Sequence, residues 1–306
     1  MPLSRLLLAA ALFLGTAALT AQSGRAQPAN IGPWGGAFRL GTVAQTPAGL
    51  DGGGSFSVNR TFIEPSYGYA WDRDTTLGFA VGLGQSRYDF SDSVNGGGAQ
   101  PWERIDDLRL SGVLRFKPTD STSAIIIPSI RANYETGAEL KDATTYGAIA
   151  GISWDLGPSL RIGPGFGAFS EIGGGTSLFP ILLLDWDITD RLNFGTGGGL
   201  AASQGPGLAL NYSVNDDWTV GVGGRYEKIR FRLNDRGPAP GGIGEDESFP
   251  LFLTVERALW PTAAISFVAG AELNGRLRLE DSAGNLVDEQ EYETAPFFGL
   301  TFRTRF

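Results

Sequence analysis

The side chains of this sequence that could do chemistry are carboxylates, arginines and hydroxyls, because its 306 residues include no His and no Cys. Imidazole bases, Ser–His and Cys–His nucleophiles, thiolates and disulfides are therefore excluded. Asp185 and Asp187 are two residues apart in a β-prone segment, so they share one face of a strand and could act as a carboxylate pair. Both also stand beside a tight turn, where Asp is common for structural reasons. We therefore expect no enzymatic activity, no metal ion and no cofactor.

Arginines recur in segments whose alternate positions are apolar. Between Leu108 and Phe116, for example, apolar side chains alternate with Arg109 and Arg115, which is typical of a strand with two unlike faces. If the apolar face contacts lipid, the charged face must point inward, because a lipid-facing Arg costs about 2–4 kcal/mol at the membrane midplane. The pattern places the following residues in a candidate lumen, where they would set solute selectivity: Arg39, Arg109, Arg115, Arg131, Arg276, Arg278, Arg303, Arg305, Glu64 and Glu272.

Two interpretations of these inward charges are open. Arginines of adjacent strands, Arg303 and Arg305 on the last and Arg39 on the first, can form a positive ladder that favours anionic solutes, with Arg276 and Arg278 one strand further. Alternatively, the arginines pair with Glu64, Glu272 and similar acids and hold the interior together. Glycines at the inward positions of several strands either widen the interior or permit the bends that barrel closure needs: Gly163, Gly165, Gly167, Gly195, Gly197, Gly199, Gly221 and Gly223.

The alternation recurs through the whole chain after the N-terminal segment, and short turns alternate with longer or Gly-rich loops. This arrangement predicts an all-β fold, a transmembrane antiparallel up-and-down β-barrel without a plug domain. We expect about fourteen strands, or twelve if one short pair is misassigned. Their predicted bounds are 36–46, 54–71, 75–90, 106–117, 122–136, 144–155, 160–172, 176–187, 191–203, 206–215, 218–233, 247–257, 262–279 and 290–306.

Tryptophans mark the short-turn end of the predicted barrel. Indole favours the boundary between membrane and water, where its ring is in an apolar region and its N–H reaches water. The sequence thus predicts an aromatic girdle formed by Trp71, Trp154, Trp186, Trp218 and Trp260, with tyrosines such as Tyr88 and Tyr292 forming a second girdle near the longer loops.

Residues 1–26 have the pattern of a secretory signal peptide: Arg5, then an apolar stretch from Leu6 to Leu19, then small residues before a cut after Ala26. Its removal, which takes away two arginines and no acid, changes the formal net charge from −9 to −11. Such a charge argues against nucleic acid as a partner. Residues 27–306 would then form the barrel.

The C-terminal segment resembles the terminal strand signal of bacterial outer-membrane β-barrels, with apolar residues at alternate positions and a final Phe: Phe298, Leu300, Phe302 and Phe306. The resemblance implies an outer-membrane location, contact with its lipids and lipopolysaccharide, and insertion by the outer-membrane assembly machinery. In size and strand number the chain is similar to monomeric porins. The function we expect is a passive channel for small polar or anionic solutes with an arginine-rich lumen. The alternative is a closed structural or adhesive barrel whose loops bind a partner. Acidic loops near 234–247 and 280–290 could hold divalent cations, or could simply be solvated.

Overall fold

In a computed structural model, the structure describes residues 33–91, 100–196 and 207–306. The predicted signal peptide, Gly197 and Gly199 lie outside these residues. The described parts hold one short helix, α1 (Leu140–Ala143), and none of their helices is long and apolar enough to cross a membrane. Sixteen strand segments make up the rest: β1 Trp34–Gly49, β2 Ser55–Ala70, β3 Thr76–Phe90, β4 Arg104–Thr119, β5 Thr122–Glu135, β6 Thr144–Asp155, β7 Leu160–Ser170, β8 Thr176–Thr189, β9 Leu192–Thr196, β10 Gly207–Ser213, β11 Trp218–Arg225, β12 Glu227–Arg232, β13 Ile243–Trp260, β14 Ala263–Glu280, β15 Leu286–Tyr292 and β16 Ala295–Arg305.

These segments form a closed antiparallel barrel of fourteen strands. The sixteen segments count as fourteen strands, because two pairs of consecutive segments each form one interrupted strand. Segments β11 and β12 both pair with β13, and segments β15 and β16 both pair with β14. The ring closes where β1 pairs with β16 from Ala37↔Arg305 to Gln45↔Phe297. The predicted fold class and strand number are confirmed.

One end of the barrel, called the turn end below, carries the short connections. Residues 120–121, 190–191 and 261–262 join neighbouring strands directly. In the turn between β2 and β3, the Asp72 carboxylate accepts hydrogen bonds from the backbone N–H groups of Asp74 and Thr75, which lowers the pKa of Asp72. The opposite, or loop, end carries longer connections such as 136–143 and 233–242, although the loop-end connections at 50–54, 171–175 and 281–285 are also short.

The outer wall is apolar, as expected for contact with lipid. On β3, Phe79, Val81 and Leu83 are exposed outward, whereas the alternate residues Ala80 and Tyr88 are buried inside. The five tryptophans of the predicted girdle are all exposed at the turn end, between 39% and 57%. The tyrosine girdle is partly wrong, because Tyr88 and Tyr292 lie inside the barrel.

Aromatic rings lie flat against the inner wall, each over a glycine on the neighbouring strand. A Cβ atom added to Gly41 or Gly223 would stand 2.8 Å from the ring of Phe62 or Phe252, respectively. Seven glycines make room in this way for a ring from the directly paired position, in the pairs Gly41↔Phe62, Gly147↔Phe169, Gly167↔Phe179, Gly223↔Phe252, Gly244↔Phe231, Gly270↔Phe297 and Gly275↔Tyr292. Of the glycines predicted to face inward, Gly167 and Gly223 belong to this group. The nearest neighbours of the described others are backbone atoms or side chains without a ring: Gly163, Gly165, Gly195 and Gly221.

A β-bulge near Asn274 reverses which residues of β14 face inward. Asn274 has φ 50°, and the register with β13 shifts there by one residue. On the turn side of the bulge Glu272 points inward, whereas on the loop side Leu277 and Leu279 are buried in the interior. A bulge adds one residue to one strand of a pair, so it exchanges the two faces of everything beyond it.

Candidate functional site in the barrel lumen

Five of the predicted lumen arginines form a band around part of the inner wall, here called the arginine belt: Arg39, Arg109, Arg131, Arg303 and Arg305. Their order follows from strand register. Arg131 on β5 is directly opposite Arg109 on β4, and Arg39 on β1 is directly opposite Arg303 on β16. Arg305 lies two residues beyond Arg303 on the same strand face. The barrel thus brings Arg39 and Arg303 together across its closing seam, as the sequence predicts.

Three carboxylates are interleaved with the belt. Glu64 lies between two arginines, with Arg39 Nη2 at 2.9 Å and Arg109 Nη2 at 3.8 Å from its oxygens. Asp107 binds Arg131, and Glu256 accepts from Arg303 Nη2 at 2.5 Å. The arginines are therefore adjacent, as a positive ladder requires, and are also paired with acids, as the alternative interpretation requires.

The belt nevertheless has more arginines than carboxylates, five against three. Arg39 Nε and both Nε and Nη1 of Arg109 are buried and have no hydrogen-bond acceptor among the described residues. Burying a charged donor without a partner is costly. The belt is therefore a concave surface with surplus positive charge. Its N–H groups could donate hydrogen bonds to an anion.

The remaining predicted lumen residues lie elsewhere. Arg115 faces inward nearer the turn end, where the charges of Arg161 and Asp185 act on it. Arg276 and Arg278 do not face the lumen, because they follow the Asn274 bulge and therefore lie on the outer face. There, Arg276 Nη2 is 2.7 Å from Glu247 and Arg278 Nε is 3.0 Å from Glu280.

Glu272 belongs to a second group, the Arg60 cluster: Arg60, Tyr88, Asp246, Glu272 and Tyr292. Arg60 Nη1 is 3.0 Å from Glu272, and Nη2 is 2.9 Å from Asp246. The hydroxyl groups of Tyr88 and Tyr292 donate to Asp246 and Glu272 at 2.8 and 3.0 Å. All five residues are buried, so five strand segments of the loop-end half are held together across the interior.

Most of the Arg60 cluster is not evident from the sequence. Asp246 lies in the stretch predicted to be an acidic surface loop, and this prediction is wrong, because β13 begins at Ile243 and carries Asp246 into the interior. Glu245 is also buried and binds Lys228 and Arg230 at 3.0 and 2.9 Å. Hence the loop 234–247 does not present a free acidic surface. Among the described residues no group of acids is arranged to hold a metal ion.

The other acidic loop is a turn closed by its own side chains. Asp281 accepts hydrogen bonds from the backbone N–H groups of Ala283 and Asn285 and from the Asn285 side-chain amide, at 2.8 to 2.9 Å. These bonds stabilise the ionised carboxylate and lower the pKa of Asp281.

Segment β12 divides the loop end of the barrel into two halves. Among the described residues, the pairing of β11 with β10 ends at Gly207↔Arg225. The following segment, β12, reaches β5, where Arg232 pairs with Tyr134. Asn133 Nδ2 also donates to the backbone oxygen of Arg230 at 3.3 Å. Because β5 is far from β11 in the order of strands around the ring, β12 must cross the mouth rather than follow the wall.

The half between β12 and β1–β4, here the sealed half, is filled. Ile229, Phe231 and Leu233 enter a cluster with Phe56, Tyr88 and Trp102, and the Arg60 cluster lies beside them. The half between β12 and β5–β7, here the open half, contains a cavity that is partly open to solvent. Its lining includes Arg109, Ser129, Arg131, Asn133, Thr145, Phe169, Ser170, Glu171, Ile172 and Arg230.

No protein-family model and no curated protein matches the chain. Three solved structures are similar to it. A FadL homologue from Pseudomonas aeruginosa has 14% identity over 89% of each chain and a TM-score of 0.46. The P. putida toluene transporter TodX has 9% identity over 90% of each chain and a TM-score of 0.45. The translocator domain of the autotransporter NalP from Neisseria meningitidis has 13% identity, covers 89% of this chain and 88% of its own, and has a TM-score of 0.41.

At these identities the likeness concerns the fold alone. Those structures are outer-membrane β-barrels. This chain is itself a closed antiparallel barrel of fourteen strands with an apolar outer wall.

Proposed function

We propose that this barrel is a passive outer-membrane channel for small polar or anionic solutes, in which the arginine belt sets the charge preference. The observation that carries the proposal is that Arg39 and Arg109 share one acid, Glu64, while buried N–H groups of both arginines have no acceptor among the described residues. Preorganised donors in a narrow, poorly solvated passage attract anions and repel cations. No catalytic step is part of the proposal.

The lumen is wettable at the turn end. The ion pairs there keep part of their side-chain surface accessible: 35% and 26% for Arg161 and Asp155, and 32% and 26% for Arg303 and Glu256. In contrast, Arg60, Asp246 and Glu272 keep 6% or less at the loop end. Water therefore reaches the belt from the turn end, and at the loop end the proposed passage follows the open half, since the described residues of the sealed half are packed together.

Single-channel recordings in planar bilayers test this function. Under a KCl gradient, the reversal potential of the native barrel should show anion preference. The double variant Arg39→Gln, Arg109→Gln should shift it toward cations. Arg257→Gln is a matched control, because Arg257 lies on the outer face against the Trp218 ring, at 5.3 Å from its centroid, and should leave the reversal potential unchanged. A folded barrel that never conducts, or that conducts with cation preference, would refute the proposal.

The packed sealed half favours a second candidate, a closed structural barrel that binds a partner through its loops. This candidate predicts no conductance, and it predicts partner binding that is lost when loop 234–242 is shortened.

The proposed partners during assembly are the outer-membrane lipids, lipopolysaccharide and the assembly machinery. Phe306 exchanges two backbone hydrogen bonds with Gly36, at 2.8 and 2.9 Å, and so lies at the closing seam.

A further inference from the structure

The wall of the cavity in the open half combines two kinds of surface. One is formed by inward-facing residues of the barrel strands, and the other by residues of β12 that point away from the sealed half. Inward-facing residues of β5 and β7, such as Arg131 and Phe169, form one side. Arg230 forms the other side, although it alternates with Ile229 and Phe231, which point into the sealed half. Arg230 also donates from Nε to the backbone oxygen of Ile172 at 3.3 Å, so β12 contacts the connection between β7 and β8.

The charges facing the cavity are mostly positive. Arg109, Arg131 and Arg230 line it, with Glu171 as the one carboxylate among its lining residues. Both Arg131 and Arg230 have acid partners, Asp107 for Arg131 and Glu245 and Glu280 for Arg230, but none of these acids is part of the lining. Hydroxyl groups of Ser129 and Thr145 and the apolar side chains of Phe169 and Ile172 complete the surface.

We propose that this cavity is a binding site for a small organic anion, whose charged group meets Arg131 and Arg230 and whose apolar part lies on Phe169 and Ile172. The proposal rests on the channel function above, in that the same cavity is then the route by which solute reaches the arginine belt. Binding itself does not require passage. A site of mixed cationic and apolar character favours carboxylates or sulfonates with a compact carbon skeleton over hydrated inorganic cations or neutral polyols.

The chain has no Cys, so single cysteines can report access to each half of the mouth. Ser129→Cys places a thiol in the open half, and Ser248→Cys places one in the sealed half, where Ser248 is 3% exposed and directly paired with Glu227. Thr145→Cys is a second open-half position if Ser129→Cys does not fold. Two probes of similar size and opposite charge would be used: sulfonatoethyl methanethiosulfonate and trimethylammonioethyl methanethiosulfonate. Labelling of the folded barrel would be followed by intact-mass spectrometry.

The expected result is that the open-half thiol reacts about tenfold faster with the anionic than with the cationic reagent, as a focused positive field would produce. Adding Arg131→Gln or Arg230→Gln should lower this ratio, and Ser248→Cys should remain unlabelled by both reagents. Equal rates for the two reagents, folded open-half variants that do not react, or labelling of Ser248→Cys at the same rate would each overturn the proposal. Absence of conductance would refute the channel but would leave this labelling pattern intact, so the two failures are distinguishable.

Discussion

Replacing Arg60 by Met tests whether the Arg60 cluster holds the sealed half together. Its guanidinium is the shared partner of Asp246 and Glu272, and all three side chains are at most 6% exposed. Removing one member of a buried ion pair costs about 3–5 kcal/mol, because the other charge stays buried without compensation. Since two carboxylates lose their partner at once, we expect Arg60→Met to lower the free energy of unfolding by about 5 kcal/mol, at the upper end of that range.

Urea unfolding in lipid vesicles, followed by the fluorescence of the seven tryptophans, measures this change. Arg161→Met is the matched control, because the Arg161–Asp155 pair is about one-third exposed and should cost no more than about 1 kcal/mol. The triple variant Arg60→Met, Asp246→Asn, Glu272→Gln should recover most of the lost stability, since no charge then remains buried alone. If Arg60→Met costs no more than Arg161→Met, or if the triple variant is no more stable than the single one, the cluster does not hold the sealed half.

Three further predictions concern single positions. Gly41→Ala should lower the free energy of unfolding by about 1–3 kcal/mol, because its Cβ would stand 2.8 Å from the Phe62 ring and 2.9 Å from the Leu300 backbone oxygen. The control Gly35→Ala, whose added Cβ has its nearest neighbour 4.0 Å away, should leave the free energy of unfolding unchanged in the same urea titration. Equal effects of the two substitutions would contradict the packing argument. Deleting Phe306 removes both backbone hydrogen bonds to Gly36 and should lower the free energy of unfolding by about 1–3 kcal/mol. Phe306→Leu keeps these bonds and should unfold near the native urea midpoint. An equal loss of stability in both variants would show that the Phe306 ring, and not the backbone bonding at the seam, matters. The Asp281 carboxyl should titrate in an NMR experiment with a midpoint below about 3.9, its ordinary value, because the folded turn lowers its pKa. The contribution of this turn to stability is then present above the unfolded pKa and is lost as pH falls through the folded pKa; a midpoint at or above the ordinary value would contradict it.

The sequence was sufficient for the barrel because lipid imposes a strict alternation on the outer wall. The third strand was predicted at 75–90 and observed at Thr76–Phe90, and the fifth was predicted at 122–136 and observed at Thr122–Glu135. The inward positions of Arg39, Glu64, Arg109, Arg131 and Arg303 follow from the same alternation, and cross-strand register then brings them together.

Two features could not be obtained from alternation. The bulge at Asn274 changes the phase of β14, so Arg276 and Arg278 have inward parity in the sequence but lie on the outer face. The departure of β12 from the barrel wall does not change the alternation of inward and outward positions along the sequence. Glu227, Ile229 and Phe231 have the same odd-numbered spacing as the inward residue Arg225. One signal was present: Lys228, Arg230 and Arg232 occupy the positions that would face lipid, which indicates that this segment does not line the membrane.

The bulge at Asn274 also decides which chemistry the sealed half contains. If β14 ran through this point as a regular strand with residue 274 in the ladder, Leu277 and Leu279 would point away from the sealed half, and Arg276 and Arg278 would enter it. The extra residue takes up the odd step, so Leu277 stands opposite Asp246 and Gly275 stands opposite Tyr292. A single backbone residue outside the arginine belt thus keeps an apolar seal where strict alternation along the sequence would place a charged one.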